Sequence, residues 1–154
     1  MQPARWRGFV SDPWQRTYDL FVTHAWRYHD DWNRFADVMN GVGHFRWRNF
    51  SLPWYDPAVD VNTAAGKAFV ADWLERQVIP CHAVIALDSV YSVNSARRWV
   101  EEEIRLARDL KKPVLALPAF GTVECSPALT GLVDRVLSWD GRAIAEGVAK
   151  ASPV

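Results

Sequence analysis

The sequence predicts a three-layer α/β fold with a central parallel sheet of about five strands. Three observations predict it. Short apolar runs alternate with amphipathic stretches along most of the chain. Ala83-Val-Ile-Ala-Leu87 is apolar throughout, as a parallel strand covered on both faces must be. Alternation of this kind also demands crossover connections, which bring the strands into parallel register.

In chain order, residues 1–17 are polar, aromatic and Pro-containing and read as an N-terminal extension, so that 18–150 form one domain. Tyr18-Asp-Leu-Phe-Val-Thr-His24 is the first strand. Asp30 and Asp31 are positioned to open a helix through Asn40, with Trp32, Phe35, Ala36 and Met39 at helical spacing and Gly41 and Gly43 after it. His44–Phe50 alternates weakly, as an edge strand does, and Ser51–Pro57 is a turn-rich aromatic loop. Thr63–Val78 is a helix with Phe69, Val70, Trp73, Leu74 and Val78 as its apolar stripe, closed by Pro80. After the central strand, 88–95 reads as a polar loop, followed by a helix over Ser95–Leu110 that Lys111-Lys-Pro113 breaks. Val114–Leu117 is a strand, Ala128–Asp134 a short helix, Val136–Trp139 a strand and Arg142–Lys150 the last helix.

Composition removes several classes of function. Lys plus Arg and Asp plus Glu both total 18, so the basic excess of a general nucleic-acid binder is absent. Arg5, Arg7, Arg46 and Arg48 sit beside aromatics, which long charged side chains commonly cover. Two cysteines without CxxC spacing and four scattered histidines argue against a disulfide framework and a metal centre. With no long apolar run and no signal-like N-terminus, the expectation is a soluble cytoplasmic protein that binds neither nucleic acid nor membrane. Nine tryptophans suit base stacking, core filling or an interface equally.

The most informative stretch is Ser95–Leu110. At about 100° per residue from Trp99, Val100, Leu106, Ala107 and Leu110 fall within roughly 100° of it. Glu101 and Arg105 land on the opposite side and Glu102 on the flank, but Glu103 falls at about 40°, inside the apolar arc. An inward carboxylate needs a reason, because burying it unpaired costs several kcal/mol or raises its pKa. On geometry alone, two readings stand: a structural pairing with an arginine or backbone group, or a group facing a ligand.

Trp99-Val-Glu-Glu-Glu103-Ile104 resembles the W-x-x-x-E-I segment of TIR domains. Tyr18–Trp26 resembles their first strand, with Thr23 where serine is usual, and Lys112-Pro-Val-Leu-Ala-Leu117 resembles a later strand. Phe45–Pro53 and Tyr91-Ser92-x-x-Ser95 resemble the prokaryotic TIR-like subfamily that includes the Thoeris antiphage TIR protein. The match spans about 18–147, and residues 1–17 have no counterpart in it.

The resemblance implies a flavodoxin-like sheet and an enzyme of the NAD glycohydrolase or ADP-ribosyl cyclase type. Such an enzyme breaks the nicotinamide–ribose bond and makes a cyclic or modified ADP-ribose signal for a separate effector protein. It implies NAD as substrate with no resident cofactor or metal, and assembly into a homo-oligomer or filament. Glu103 takes the catalytic role. Substrate-binding candidates are His24, Ala25 and Trp26 at the end of the first strand, Trp47, Phe50 and Ser51 in the aromatic segment, and Ser92, Ser95 and Trp99. Trp54 is a further stacking candidate. Each also has a plain structural reading: core packing for the aromatics, helix capping for the serines. A non-catalytic TIR adaptor and a nucleoside deoxyribosyltransferase-like enzyme are the alternatives. A phosphoacceptor receiver, suggested by Asp88, is disfavoured by Thr23-His24 where an acidic pair is expected.

Overall fold

A computed structural model describes residues 16–23, 30–51 and 63–152. The strands are β1 (Thr17–Val22), β2 (Arg46–Asn49), β3 (Ala83–Leu87), β4 (Val114–Leu117) and β5 (Arg135–Val136). The helices are α1 (Asp30–Asn40), α2 (Ala64–Val78), α3 (Asp88–Tyr91), α4 (Asn94–Asp109), α5 (Pro127–Thr130) and α6 (Gly141–Ala151). All four strand pairings are parallel, in the order β2-β1-β3-β4-β5. This is the flavodoxin-like arrangement, whose switch point lies between β1 and β3.

Handedness sorts the helices. The connection from β1 to β2 steps one way along the sheet and the later connections step the other way, so right-handed crossovers place them on opposite faces. Accordingly α1 packs against α6, while α2 packs against α4. Every residue of β3 and β4 is buried, whereas β2 is an edge strand with mostly exposed side chains. Leu20, Phe21 and Val22 of β1 are fully buried, and Phe35, Met39, Val78, Val100, Leu129 and Ile144 close the two helical layers over the sheet.

Local chemistry sets the boundaries. The Thr63 hydroxyl accepts from Gly66 N at 3.0 Å and caps α2, and Asp140 caps α6 through Ala143 N at 2.9 Å. Beyond α4, Lys111 is left-handed (φ 58°) and Lys112 N donates to Ala107 O at 2.7 Å, which closes the helix before Pro113.

Several boundaries depart from the sequence expectation. Residues 88–91 form a helical turn rather than a loop, because Val90 and Tyr91 bury their side chains and Asp88 is tied down. The helix expected over 128–134 is a single turn, and the last strand spans Arg135–Val136 rather than reaching Trp139. Beyond it, Leu137 N still donates to Ala116 O at 2.8 Å, and the Trp139 indole donates to Pro118 O at 2.7 Å. In α2 the apolar stripe is narrower than expected: Leu74 and Val78 are buried, but Phe69 is 45% exposed. Among the described residues, no helix is long and apolar enough to cross a membrane.

Candidate functional site

The candidate site centres on Glu103, in the middle of α4. This helix begins at the carboxyl edge of the sheet, where doubly wound folds bind ligands, and packs on β3, β4 and α2. Its inner face carries Ala96, Val100, Glu103, Ile104, Leu106 and Ala107. Glu103 is 3% exposed, and its Oε2 is buried without a hydrogen-bond partner. Burial pushes its carboxyl well above the ordinary carboxylate range.

The other acids of α4 behave differently. Arg105 pairs with Glu102 and, at 2.7 Å, with Asp109, and it holds Glu102 below its usual pKa. Glu101 accepts a hydrogen bond from the buried Tyr91 hydroxyl at 2.9 Å. The arginine pairing that sequence geometry left open for Glu103 is therefore made by its neighbours. Trp99, one turn earlier, is half-buried, and Arg98 lies over its ring at 5.3 Å.

Around the switch point, backbone and side chains lock the strand ends. Thr23, fully buried, donates its amide to Ile85 O at 2.9 Å and accepts at its hydroxyl from Leu87 N at 2.9 Å. Asp88 receives the Ser126 hydroxyl at 2.7 Å and the Ser126 amide at 3.1 Å. Asp31, at the start of α1, accepts from Phe120 N at 3.2 Å and from Arg34 at 2.7 Å. Through Asp31 and Asp88, the loop after β4 is fastened at both ends. Sequence reading did not single out these contacts; the signal was two acids at strand-to-helix transitions.

The remaining expected site residues divide into groups. His24, Ala25, Trp26 and Trp54 lie outside the described residues. Trp47 is not beside Glu103: it lies on β2, its indole donates to Asn40 at 2.9 Å, and its ring meets Phe35 edge-on at 5.3 Å. That contact puts it in the α1 layer, on the face of the sheet opposite α4. Ser51 is fully buried and engaged with Asn49 and, at 3.1 Å, with the Trp32 indole. Phe50 is half-buried, with Arg48 at 5.9 Å from its ring centroid. Ser92 and Ser95 are exposed near the start of α4, and the residue preceding that helix, Val93, supplies no side-chain cap. Trp99 and Glu103 share a helix face, whereas the serines sit at the start of α4, at least two turns before Glu103.

A shallow cleft of about 490 Å³ opens at the ends of β4 and β5, lined by Phe120, Thr122, Val123, Leu137 and Trp139 among others. It does not include Glu103. Among the described residues, no group of His, Cys, Asp and Glu is arranged to hold a metal ion.

No protein-family model and no curated protein sequence matches the chain. Solved structures do. A conserved protein from Enterococcus faecalis V583 matches with a TM-score of 0.59 at 13% identity, covering 88% of this chain and 99% of that one. A 2-deoxyribosyltransferase from Bacillus psychrosaccharolyticus matches with a TM-score of 0.56 at 12% identity, covering 82% and 90%. The SEFIR domain of IL-17 receptor B gives 0.46 at 12% identity, covering 93% and 100%. At such identities the first two likenesses establish a shared architecture: a parallel five-stranded sheet between two helical layers.

Proposed function

We propose that the chain cleaves the nicotinamide–ribose bond of NAD, with Glu103 as the catalytic carboxylate, and that its product is a cyclic or modified ADP-ribose signal in bacterial antiphage defence. One observation carries the reading. A carboxyl group sits 3% exposed and without a hydrogen-bond partner for Oε2, on the helix whose sequence resembles the W-x-x-x-E-I segment of TIR domains. A structural acid is normally paired when buried, so an unpaired one is a functional-site signature.

The chemistry suits a single carboxylate. When the C1′–N bond breaks, its electron pair goes to the ring nitrogen and nicotinamide leaves as a neutral base. Positive charge develops at the anomeric carbon, as in glycoside hydrolysis. A carboxylate beside the ribose stabilises that charge in a water-poor site, where electrostatic contacts are strongest. Trp99, one turn before Glu103, is the proposed wall for the leaving ring, and Ser92 and Ser95 are the proposed ribose or phosphate contacts. Cyclisation then requires a second nucleophile from the same ligand and exclusion of water.

A nucleoside deoxyribosyltransferase-like activity is the second reading, favoured by the same buried acid and by the fold shared with a solved 2-deoxyribosyltransferase. The test is incubation of the purified chain with NAD or with deoxyribonucleosides, followed by product analysis, beside Glu103→Gln. Release of nicotinamide and an ADP-ribose form by the native protein, reduced about 10²-fold or more in the variant, is expected. Equal release by both proteins removes Glu103 from the mechanism, and base exchange on deoxyribonucleosides alone selects the second reading.

A further inference from the structure

We propose that the amino edge of the sheet holds an anion site, in which Arg16, His82 and Lys112 bind the phosphoryl oxygens of phosphate or pyrophosphate. This edge is opposite the one from which α4 starts, and the inference does not depend on the proposed function.

The topology brings the three residues together. Arg16 immediately precedes β1, His82 immediately precedes β3, and Lys112 stands two residues before β4. These strands are neighbours in the order β1-β3-β4 and all run the same way, so their first residues lie along one edge. At about 4.8 Å between strands, the three starts span about 10 Å, a gap that arginine and lysine side chains can bridge toward the histidine between them.

Each group is held as a hydrogen-bond donor. The guanidinium of Arg16 lies 4.6 Å from the centroid of the Tyr18 ring, and its Nε is buried with no hydrogen-bond partner. The His82 ring meets the same Tyr18 ring edge-on at 5.7 Å. The Asp19 amide donates to His82 Nδ1 at 2.8 Å, so the hydrogen of the neutral imidazole sits on Nε2. His82 N donates to Asp19 O at 2.7 Å and the Ser152 hydroxyl donates to His82 O at 3.1 Å, which fixes the backbone there. Lys112 is anchored by its own amide bond to Ala107 O at 2.7 Å. Burial first, and then the charges of Arg16, Lys112 and Arg48 against that of Asp19, hold His82 below its ordinary pKa. The acids at this edge are already matched: Arg48 takes both oxygens of Asp19, Arg105 takes Asp109 and Arg108 takes Asp134.

Three donors from three strands, with no acceptor among them, suit an oxyanion that presents several oxygens. A carboxylate offers two coplanar oxygens, whereas a phosphoryl group offers three in a tetrahedral array. A buried N–H without an acceptor costs stability, and the oxyanion supplies the acceptor that Arg16 Nε lacks. Basic residues here also complement the carboxyl ends of α4 and α6, but the exposed Lys111 and Lys150 serve that purpose without a buried donor.

The experiment is calorimetric titration of the purified full chain with inorganic phosphate and with pyrophosphate, at constant ionic strength set with chloride. It is run at about pH 7.5, where the His82 imidazole is neutral. Arg16→Gln, Lys112→Gln and Arg135→Gln are titrated in parallel. Arg135 is an exposed cation at the start of β5, on the same edge but one strand farther along. Saturable binding of one anion per chain is expected, weakened at least about tenfold by Arg16→Gln and by Lys112→Gln, and less than about twofold by Arg135→Gln. Tighter binding of pyrophosphate identifies a phosphoanhydride as the ligand, and equal binding identifies a single phosphoryl group. Should Arg16→Gln fold poorly, Lys112→Gln and the movement of the His82 ring signals in NMR spectra of the native protein on adding phosphate decide the question.

No saturable binding, equal losses in all three variants, or an unmoved His82 ring overturns the inference. Either result leaves the Glu103→Gln assay, and with it the proposed function, untouched.

Discussion

Thr23 and Leu87 join the ends of β1 and β3: the Thr23 hydroxyl accepts the Leu87 amide at 2.9 Å, with Thr23 fully buried. These strands flank the switch point, so this bond sets the spacing of the two strand ends at that edge of the sheet. The TIR resemblance has serine here, and the hydroxyl is the part that the geometry uses. Thr23→Val keeps the shape but leaves the Leu87 amide buried without an acceptor. A loss of about 1–3 kcal/mol is expected, read as a lower urea midpoint with an unchanged slope. Thr23→Ser, which keeps the acceptor, should cost less than Thr23→Val. Equal losses in the two variants would mean that packing of the methyl group, not the hydrogen bond, matters.

Lys111 closes α4 in the left-handed region at φ 58°, a conformation that side chains with a Cβ pay to adopt. Its side chain is exposed, so little packing is lost by removing it. Lys111→Gly should therefore raise stability, by about 0.5–1 kcal/mol once glycine's extra unfolded-state freedom is subtracted. Thermal unfolding checks this, and a lower melting temperature would show that the Lys111 side chain contributes more than the relief of its backbone.

Both thiols are withdrawn from chemistry. Cys81 and Cys125 are buried, and burial, with Asp19 and Asp88 respectively adding to it, raises them to about 12 and about 11. Since the thiolate is the nucleophile, neither should react with an alkylating reagent in the native protein near pH 8, whereas both should react in denaturant. Rapid native labelling of either would mean that its surroundings open more readily than the packed structure suggests.

The fold was legible in the sequence because its strongest signals are local. Ala83–Leu87 and Val114–Leu117 are apolar throughout, and their strands match those bounds. The inward direction of Glu103 was legible for the same reason: on a regular helix, spacing from Val100, Leu106 and Ala107 decides which face a residue takes. What escaped depends on partners distant in sequence. Asp88 looked like part of a polar loop because Ser126, 38 residues on, is what holds it within a helical turn. Trp47 looked available for stacking because nothing local tells which face of an edge strand meets Asn40 and Phe35. Asp19, in the middle of a buried strand, is explained only by Arg48 on β2, whose guanidinium reaches both carboxylate oxygens at 2.6 and 2.9 Å.

Glu103 also governs how stability changes with pH. Its folded-state pKa lies well above the ordinary value of 4.5, so the native protein binds a proton that the unfolded chain gives up. Stability from this group is complete below about pH 4.5 and declines as pH rises through the folded-state value, at up to about 1.4 kcal/mol per pH unit. Glu103→Gln keeps the size of the side chain and has no proton to lose. The variant should therefore grow more stable relative to the native protein as pH rises from 4.5 toward the folded-state value and hold a constant lead above it, even as it loses the proposed activity. Urea unfolding of both proteins at a series of pH values measures the difference. A constant gap across the series would mean that Glu103 finds compensation in the folded state, and a gap of opposite slope would mean that it is ionised and paired there.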